Sequence, residues 1–140
     1  MKKIMLTAIV ISLLAVSCSG SKKLNTMTDT LNAQWTLQSL AGQNDLAALF
    51  GKRTPFLNFD TKTLRVAGNS GCNNLTGSFS VSPGNKINLG PLAATKMACP
   101  GNGESVFLSA LGKVTHFTIS NGVLKLLNGK EELMSLVKAG

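Results

Sequence analysis

The chain has 140 residues, with 14 lysines and arginines against 6 aspartates and glutamates, a formal charge of +8, one histidine and three cysteines. That length fits a single domain able to bury a real core. The basic residues are scattered singly, and the only aromatics are six phenylalanines and one tryptophan, so no basic stripe interleaved with aromatic platforms exists and nucleic acid is excluded as an expected partner.

Met1, Lys2 and Lys3 open the chain, an apolar run from Ile4 to Leu14 is broken only by Thr7 and Ser12, and Ala15-Val16-Ser17-Cys18 follows. The run is too short for a membrane-spanning helix, which needs about 20 apolar residues. Residues 1–17 read as a signal peptide. Small residues ending in cysteine resemble the lipobox of bacterial lipoproteins, which implies that Cys18 receives lipid and becomes the first mature residue. Ala15 stands where leucine is commoner. The alternative is ordinary cleavage after Ser17, because Ala-x-Ser also suits signal peptidase.

Lipidation of Cys18 turns an odd cysteine count into an even pair, Cys72 and Cys99. Export places that pair where disulfides persist. A bridge would contribute about 3.5 kcal/mol in the chain-entropy model; two buried free thiols are the alternative. The separation is too wide for a redox Cys-x-x-Cys, and the single His116 does not complete a zinc site of familiar spacing. No metal and no cofactor is expected.

Residues 18–31 are polar and short-sided and read as a flexible tether; residues 32–140 form the domain. Gln34 to Leu40 alternates as a strand, with Trp35, Leu37 and Ser39 on one face. Asn44 is placed to cap a short helix from Asp45 to Phe50, ended by Gly51. Thr54 to Asp60 is a strand carrying Phe56, Leu57 and Phe59, with Pro55 at its start. Thr63 to Ala67 sets Leu64 and Val66 together. Asn69-Ser70-Gly71 is a turn into Cys72. Leu75, Gly77, Phe79 and Val81 share a face of the next strand, and Ser82-Pro83-Gly84-Asn85 has the makings of a type II turn. Lys86 to Leu89 follows, with Ile87 and Leu89 inward. Pro100-Gly101 precedes the stronger helix, about Gly103 to Leu111, capped by Asn102 or Gly103 and followed by Gly112. Strands at Thr115–Ser120, Val123–Leu127 and Glu131–Val137 are joined by Asn121-Gly122 and Asn128-Gly129, two type I′ hairpin signals. About eight short antiparallel strands around one helix predict a mainly β fold, a small barrel or strongly curved sheet.

Ser70-Gly71-Cys72-Asn73, Gly77, Thr95-Lys96-Met97-Ala98-Cys99, then Glu104, Phe107 and Ala110-Leu111 resemble the META domain family, which includes HslJ-like envelope lipoproteins associated with heat shock. Trp35 and Leu37 resemble its opening Trp-x-Leu; Phe117, Ile119, Leu124 and Leu126 resemble its closing meander. Leu75, Phe79 and Phe117 stand where members often carry tyrosine, which removes any hydrogen bond from a buried tyrosine there. The resemblance covers about Asn32 to Val137. It implies a compact barrel-like fold with one packed helix and a link to the envelope and stress, but no reaction. Gly71, Asn73, Gly77, Thr95 and Met97 are carried over as its structural motif.

Catalysis is not expected. His116 sits alone on the polar face of a strand. The domain carboxylates Asp45, Asp60 and Glu104 are isolated, and Glu131 and Glu132 point to opposite faces of a strand, so no nucleophile, base and orienting group are assembled. The Gly-Asn-Ser-Gly-Cys-Asn-Asn stretch is read as a corner that brings Cys72 towards Cys99, with an anion-cradling loop as the alternative. Asn73 and Asn74 are expected to bond back to the turn backbone. The diffuse positive charge is read as solubility, with anionic headgroups or wall polymer as the alternative contact.

The expected whole is therefore a monomeric protein held by its lipid at the outer membrane and facing the periplasm, since Ser19 stands where aspartate favours inner-membrane retention. Its head is expected to be a non-catalytic binding or assembly module. A carrier of a small hydrophobic ligand inside the barrel is one alternative; an inhibitor or chaperone-like partner of an envelope protein is another.

Overall fold

Alternate residues of nearly every strand turn towards one interior, and this period-two burial builds the molecule. The computed structural model describes residues 26–43 and 45–140. The expected signal peptide (1–17), the expected lipidation residue Cys18, residues 19–25 of the expected tether and the expected cap Asn44 lie outside the described residues. In chain order the elements are α1 (residues 26–31), β1 (Gln34–Leu40), α2 (Leu46–Phe50), β2 (Phe56–Asp60), β3 (Arg65–Asn69), β4 (Asn74–Ser82), β5 (Lys86–Leu89), β6 (Ala93–Ala94), α3 (Gly103–Leu111), β7 (His116–Ser120), β8 (Val123–Asn128) and β9 (Glu131–Lys138).

The strands run in the order β3-β2-β1-β9-β8-β7-β5-β4, and β4 pairs back onto β3. An antiparallel barrel of eight strands is thereby closed, as the alternation predicts, and closure removes the free edges of an open sheet. The two-residue β6 lies along β4 beyond β5. The seam between β5 and β7 is thin: one register pair, Lys86 with His116, flanked by Ile87 N–H to Thr115 O and Phe117 N–H to Asn85 O, both at 3.0 Å.

Eight strands enclose just enough space for side chains. Trp35, Leu57, Phe59, Phe107, Phe117, Leu124, Leu126 and Leu136 are all fully buried in the core. Phe59 and Phe79 meet edge to face with ring centroids 5.1 Å apart, an arrangement favoured by the ring quadrupoles. α3 adds Phe107, Ala110 and Leu111 to this core.

Several local expectations are corrected. Residues 26–31, expected to be part of a flexible tether, are helical. Leu31 is fully buried, and its carbonyl accepts the Trp35 indole N–H at 3.0 Å. The apolar spacing of Met27 and Leu31, four residues apart, is the signal for this helix. In β1 a bulge between Leu37 and Ser39 turns Leu40 inward instead of Ser39; the Ser39 hydroxyl bonds that of Ser135 at 2.6 Å. Leu64 does not join Val66, because it sits in the β2–β3 turn at φ 54°, largely exposed. The N-cap of α2 is Asp45, whose carboxylate accepts the Ala48 N–H at 3.0 Å. Gly84 at φ 85° fits the type II turn, and Asn121 and Gly122 at 51° and 73° fit type I′. The last hairpin differs: Asn128 pairs with Glu131, so the loop is Gly129-Lys130. Only Gly129 has positive φ there, as in a type II′ turn.

Candidate functional site

Four of the five motif residues, Gly71, Asn73, Thr95 and Met97, converge on one corner of the barrel, between β3, β4 and the start of α3. The chain leaves β3 at Asn69, whose side-chain oxygen accepts the Gly71 N–H at 2.8 Å. Gly71 then takes φ 91°, a conformation glycine adopts without a Cβ penalty. The turn closes with Ser70 N–H to Asn73 O at 2.9 Å and Asn73 N–H to Ser70 Oγ at 3.0 Å. Cys72 is thus directed at Cys99. The two sit at disulfide distance, with Cα atoms 6.0 Å apart.

The main chain of Asn73 closes its own turn, but its side chain does not bond back to the turn backbone as expected. Its side chain is 5 % exposed and reaches across to the 95–97 segment. The amide oxygen accepts Thr95 Oγ1–H at 2.8 Å and Met97 N–H at 2.7 Å. The amide nitrogen donates to Met97 O at 3.2 Å and to Glu104 Oε2 at 3.0 Å. One side chain therefore grips both backbone groups of Met97, as a neighbouring strand would. Thr95 completes the join, with Asn74 N–H to Thr95 Oγ1 and Thr95 N–H to Asn74 O, each at 3.1 Å. Asn74 itself bonds the Asn69 side chain at 2.9 Å rather than the turn backbone.

Glu104 is not the isolated carboxylate that its sequence surroundings suggest. Its other oxygen accepts a short hydrogen bond from Ser70 Oγ. The Ser70 hydroxyl has one proton and also lies 3.0 Å from Asn73 O; the carboxylate is the stronger acceptor and takes it. Glu104 thus ties the first turn of α3 to the corner, while the Asn102 side chain makes no capping bond. Among the described residues, no buried side-chain polar atom lacks a partner.

Two glycines let α2 close on this corner. A Cβ on Gly103 would stand 2.3 Å from Leu49 O, and one on Gly71 would stand 2.5 Å from Phe50 Cδ1. Gly77 is apart from the site, in mid-β4, where a Cβ would meet Leu92 Cδ2 at 2.6 Å and Pro91 O at 2.9 Å. It admits the strap leading into β6.

Between α2, the corner and the 97–101 loop lies an open cleft of about 840 Å³, lined by residues that include Phe50, Lys52, Arg53, Cys72, Met97, Cys99 and Glu104. Met97 is 51 % exposed. Sequence reasoning placed the corner here but not α2. The signal available was the Leu49-Phe50 pair ahead of Gly51, which is unusually apolar for a surface helix. His116 lies away from the cleft, half-buried rather than exposed, with Nδ1 2.8 Å from Thr115 Oγ1.

A closed antiparallel barrel with a braced cysteine corner is the class this geometry defines. The chain belongs to the META domain family, whose model matches residues 26–140. Solved structures share the fold. A protein from Burkholderia xenovorans with an NMR structure is 23 % identical with a TM-score of 0.60, covering 80 % of this chain and 86 % of its own. A second NMR structure is 19 % identical with a TM-score of 0.61, covering 79 % and 93 %. The crystal structure of a DUF4847 family protein from Bacteroides vulgatus is 15 % identical with a TM-score of 0.56, covering 79 % and 96 %. No curated protein matches the chain.

Proposed function

We propose that this chain is an envelope lipoprotein, anchored through Cys18, whose barrel is a non-catalytic binding or assembly module that meets its partner at the α2–corner cleft. The observation that carries this reading is how the corner uses its polar groups. Ser70, Asn73, Thr95 and Glu104 bond one another and the backbone, so the polar residues fix shape. The face turned outward offers Met97, Cys99 and the half-buried Phe50 instead. An exposed methionine on a rigid frame suits recognition, because its flexible thioether adapts to a partner. Catalysis would need a base and an orienting group aimed at substrate, whereas Glu104 is held by Ser70 and Asn73.

A surface site is favoured over a ligand inside the barrel, since Trp35, Phe59, Phe107 and Phe117 already occupy the interior. One acyl chain holds a membrane weakly, so the anchor requires full lipoprotein modification of Cys18. Ser19 in place of aspartate supports an outer-membrane address facing the periplasm, with a role under envelope stress. An inhibitor or chaperone-like activity against another envelope protein is the form such a module would take.

The test is saturable capture from an envelope extract by the monomeric head, with Met97→Asp as the comparison. The Met97 side chain is exposed and its backbone supplies the corner bonds, so the variant keeps the fold. Loss of capture in Met97→Asp is expected. No saturable partner, or capture indifferent to the substitution, contradicts the proposal.

A further inference from the structure

We infer that the α2–corner cleft takes an acidic, apolar-flanked segment of a partner protein; this rests on the binding-module reading and names the partner's chemistry. The argument is charge complementarity across a partly apolar groove. Lys52 and Arg53 line the cleft directly after α2, and both are exposed. Neither forms an ion pair among the described residues, where the pair between Lys125 and Glu132 is at 2.7 Å. The acid in the cleft wall, Glu104, has both oxygens occupied by Ser70 and Asn73. Lys96, next to Met97, is exposed as well. Two unpaired cations on the wall and a third beside it outnumber the single charge of Glu104, so the field in the cleft is net positive and favours carboxylates of a partner.

The concave shape of the cleft favours a protein segment over a membrane surface. About 840 Å³ between two walls accommodates side chains, with Met97 and Phe50 as the apolar contacts. An anionic bilayer would meet a flat or convex basic face instead. An extended protein segment carrying aspartate or glutamate next to an apolar side chain satisfies both the cations and Met97. Rim charges of this kind act chiefly on association rate and salt dependence, and the apolar contact acts on residence time.

The test places a photo-crosslinking residue at Ala98 of the full lipidated chain in its own envelope and identifies the adduct by mass spectrometry. The result expected is crosslinking to protein segments of net negative charge containing an apolar residue. Yield should fall about tenfold in the Lys52→Glu, Arg53→Glu double variant and fall with added salt, while Lys130→Glu, in the distant β8–β9 turn, leaves it unchanged. Adducts on neutral or basic protein segments, or yields unmoved by the double reversal, overturn the acidic-partner inference. They leave the binding-module reading standing when Met97→Asp still abolishes capture. Lipid adducts alone overturn the inference in favour of a membrane contact, and the absence of any adduct overturns both.

Discussion

Asn73 is the side chain on which the corner depends. It bonds Thr95, both backbone groups of Met97 and Glu104 from a nearly water-free position. Leaving such groups unpaired costs about 1–3 kcal/mol each before compensation by water. Asn73→Ala should therefore lower stability by about 2–3 kcal/mol, measured by urea unfolding. Asn73→Asp should be worse at neutral pH, because it sets a second carboxylate against Glu104 and Met97 O. Like-charge proximity raises the folded-state carboxyl pKa above its unfolded value, so the variant's added instability appears as pH rises and shrinks as pH falls. A penalty independent of pH would contradict the geometry. Asp60 runs the opposite way. Bonds from the Thr63 hydroxyl and the Thr63 and Lys62 amides hold its carboxyl below the ordinary value. Its contribution is present above the unfolded pKa and disappears as pH falls through the lowered folded one. Asp60→Ala should lower stability by a constant amount above about pH 4 and lose that deficit as pH falls, so that the acid-side slope of the stability curve flattens. At this scale the sequence was legible where a residue's role is set by its neighbours in the chain, as with Gly84 in its turn. It was not legible for Glu104, whose partner Ser70 lies 34 residues away.

Elements meet the site through close backbone approach. α2 is five residues long, too short to persist without tertiary support. It is held because Gly103 and Gly71 leave room for Leu49 and Phe50. Gly103→Ala drives a methyl onto a carbonyl oxygen that belongs to rigid backbone. The substitution should cost about 1–3 kcal/mol, in the range of overpacking, and should detach α2. Limited proteolysis reads this as new cleavage within residues 46–53, and an unchanged pattern would contradict the close contact. The strands with clean alternation, β2, β4 and β7, were readable as elements because one face is buried and the other wet. The bulge in β1 and the extra helix α1 were not. A bulge is decided by pairing with β9, and α1 is marked in sequence only by the single Met27 and Leu31 spacing, which the contact of Leu31 with Trp35 makes decisive.

At the scale of the whole molecule, closure by one register pair at β5–β7 makes that seam the expected site of opening. Native-state hydrogen exchange should find the Ile87 and Phe117 amides less protected than the amides shared by β8 and β9, since local opening follows the sparsest pairing. Equal protection would contradict the thin seam. The barrel itself was foreseeable from strand count and turn spacing, because a sheet of that length leaves edges unless it closes. Which strands form the seam depends on register, and the sequence does not display it.

The proposed lipoprotein combines a braced head with a lipid on Cys18. Intact-mass analysis of the membrane-fractionated protein, with and without reductant, reads both parts together. The expected species is a chain beginning at Cys18 with the mass of several acyl chains, gaining two hydrogens on reduction as Cys72 and Cys99 separate. A membrane-free chain with an unmodified Cys18, or a mass unchanged by reductant because the later cysteines are already thiols, would contradict it.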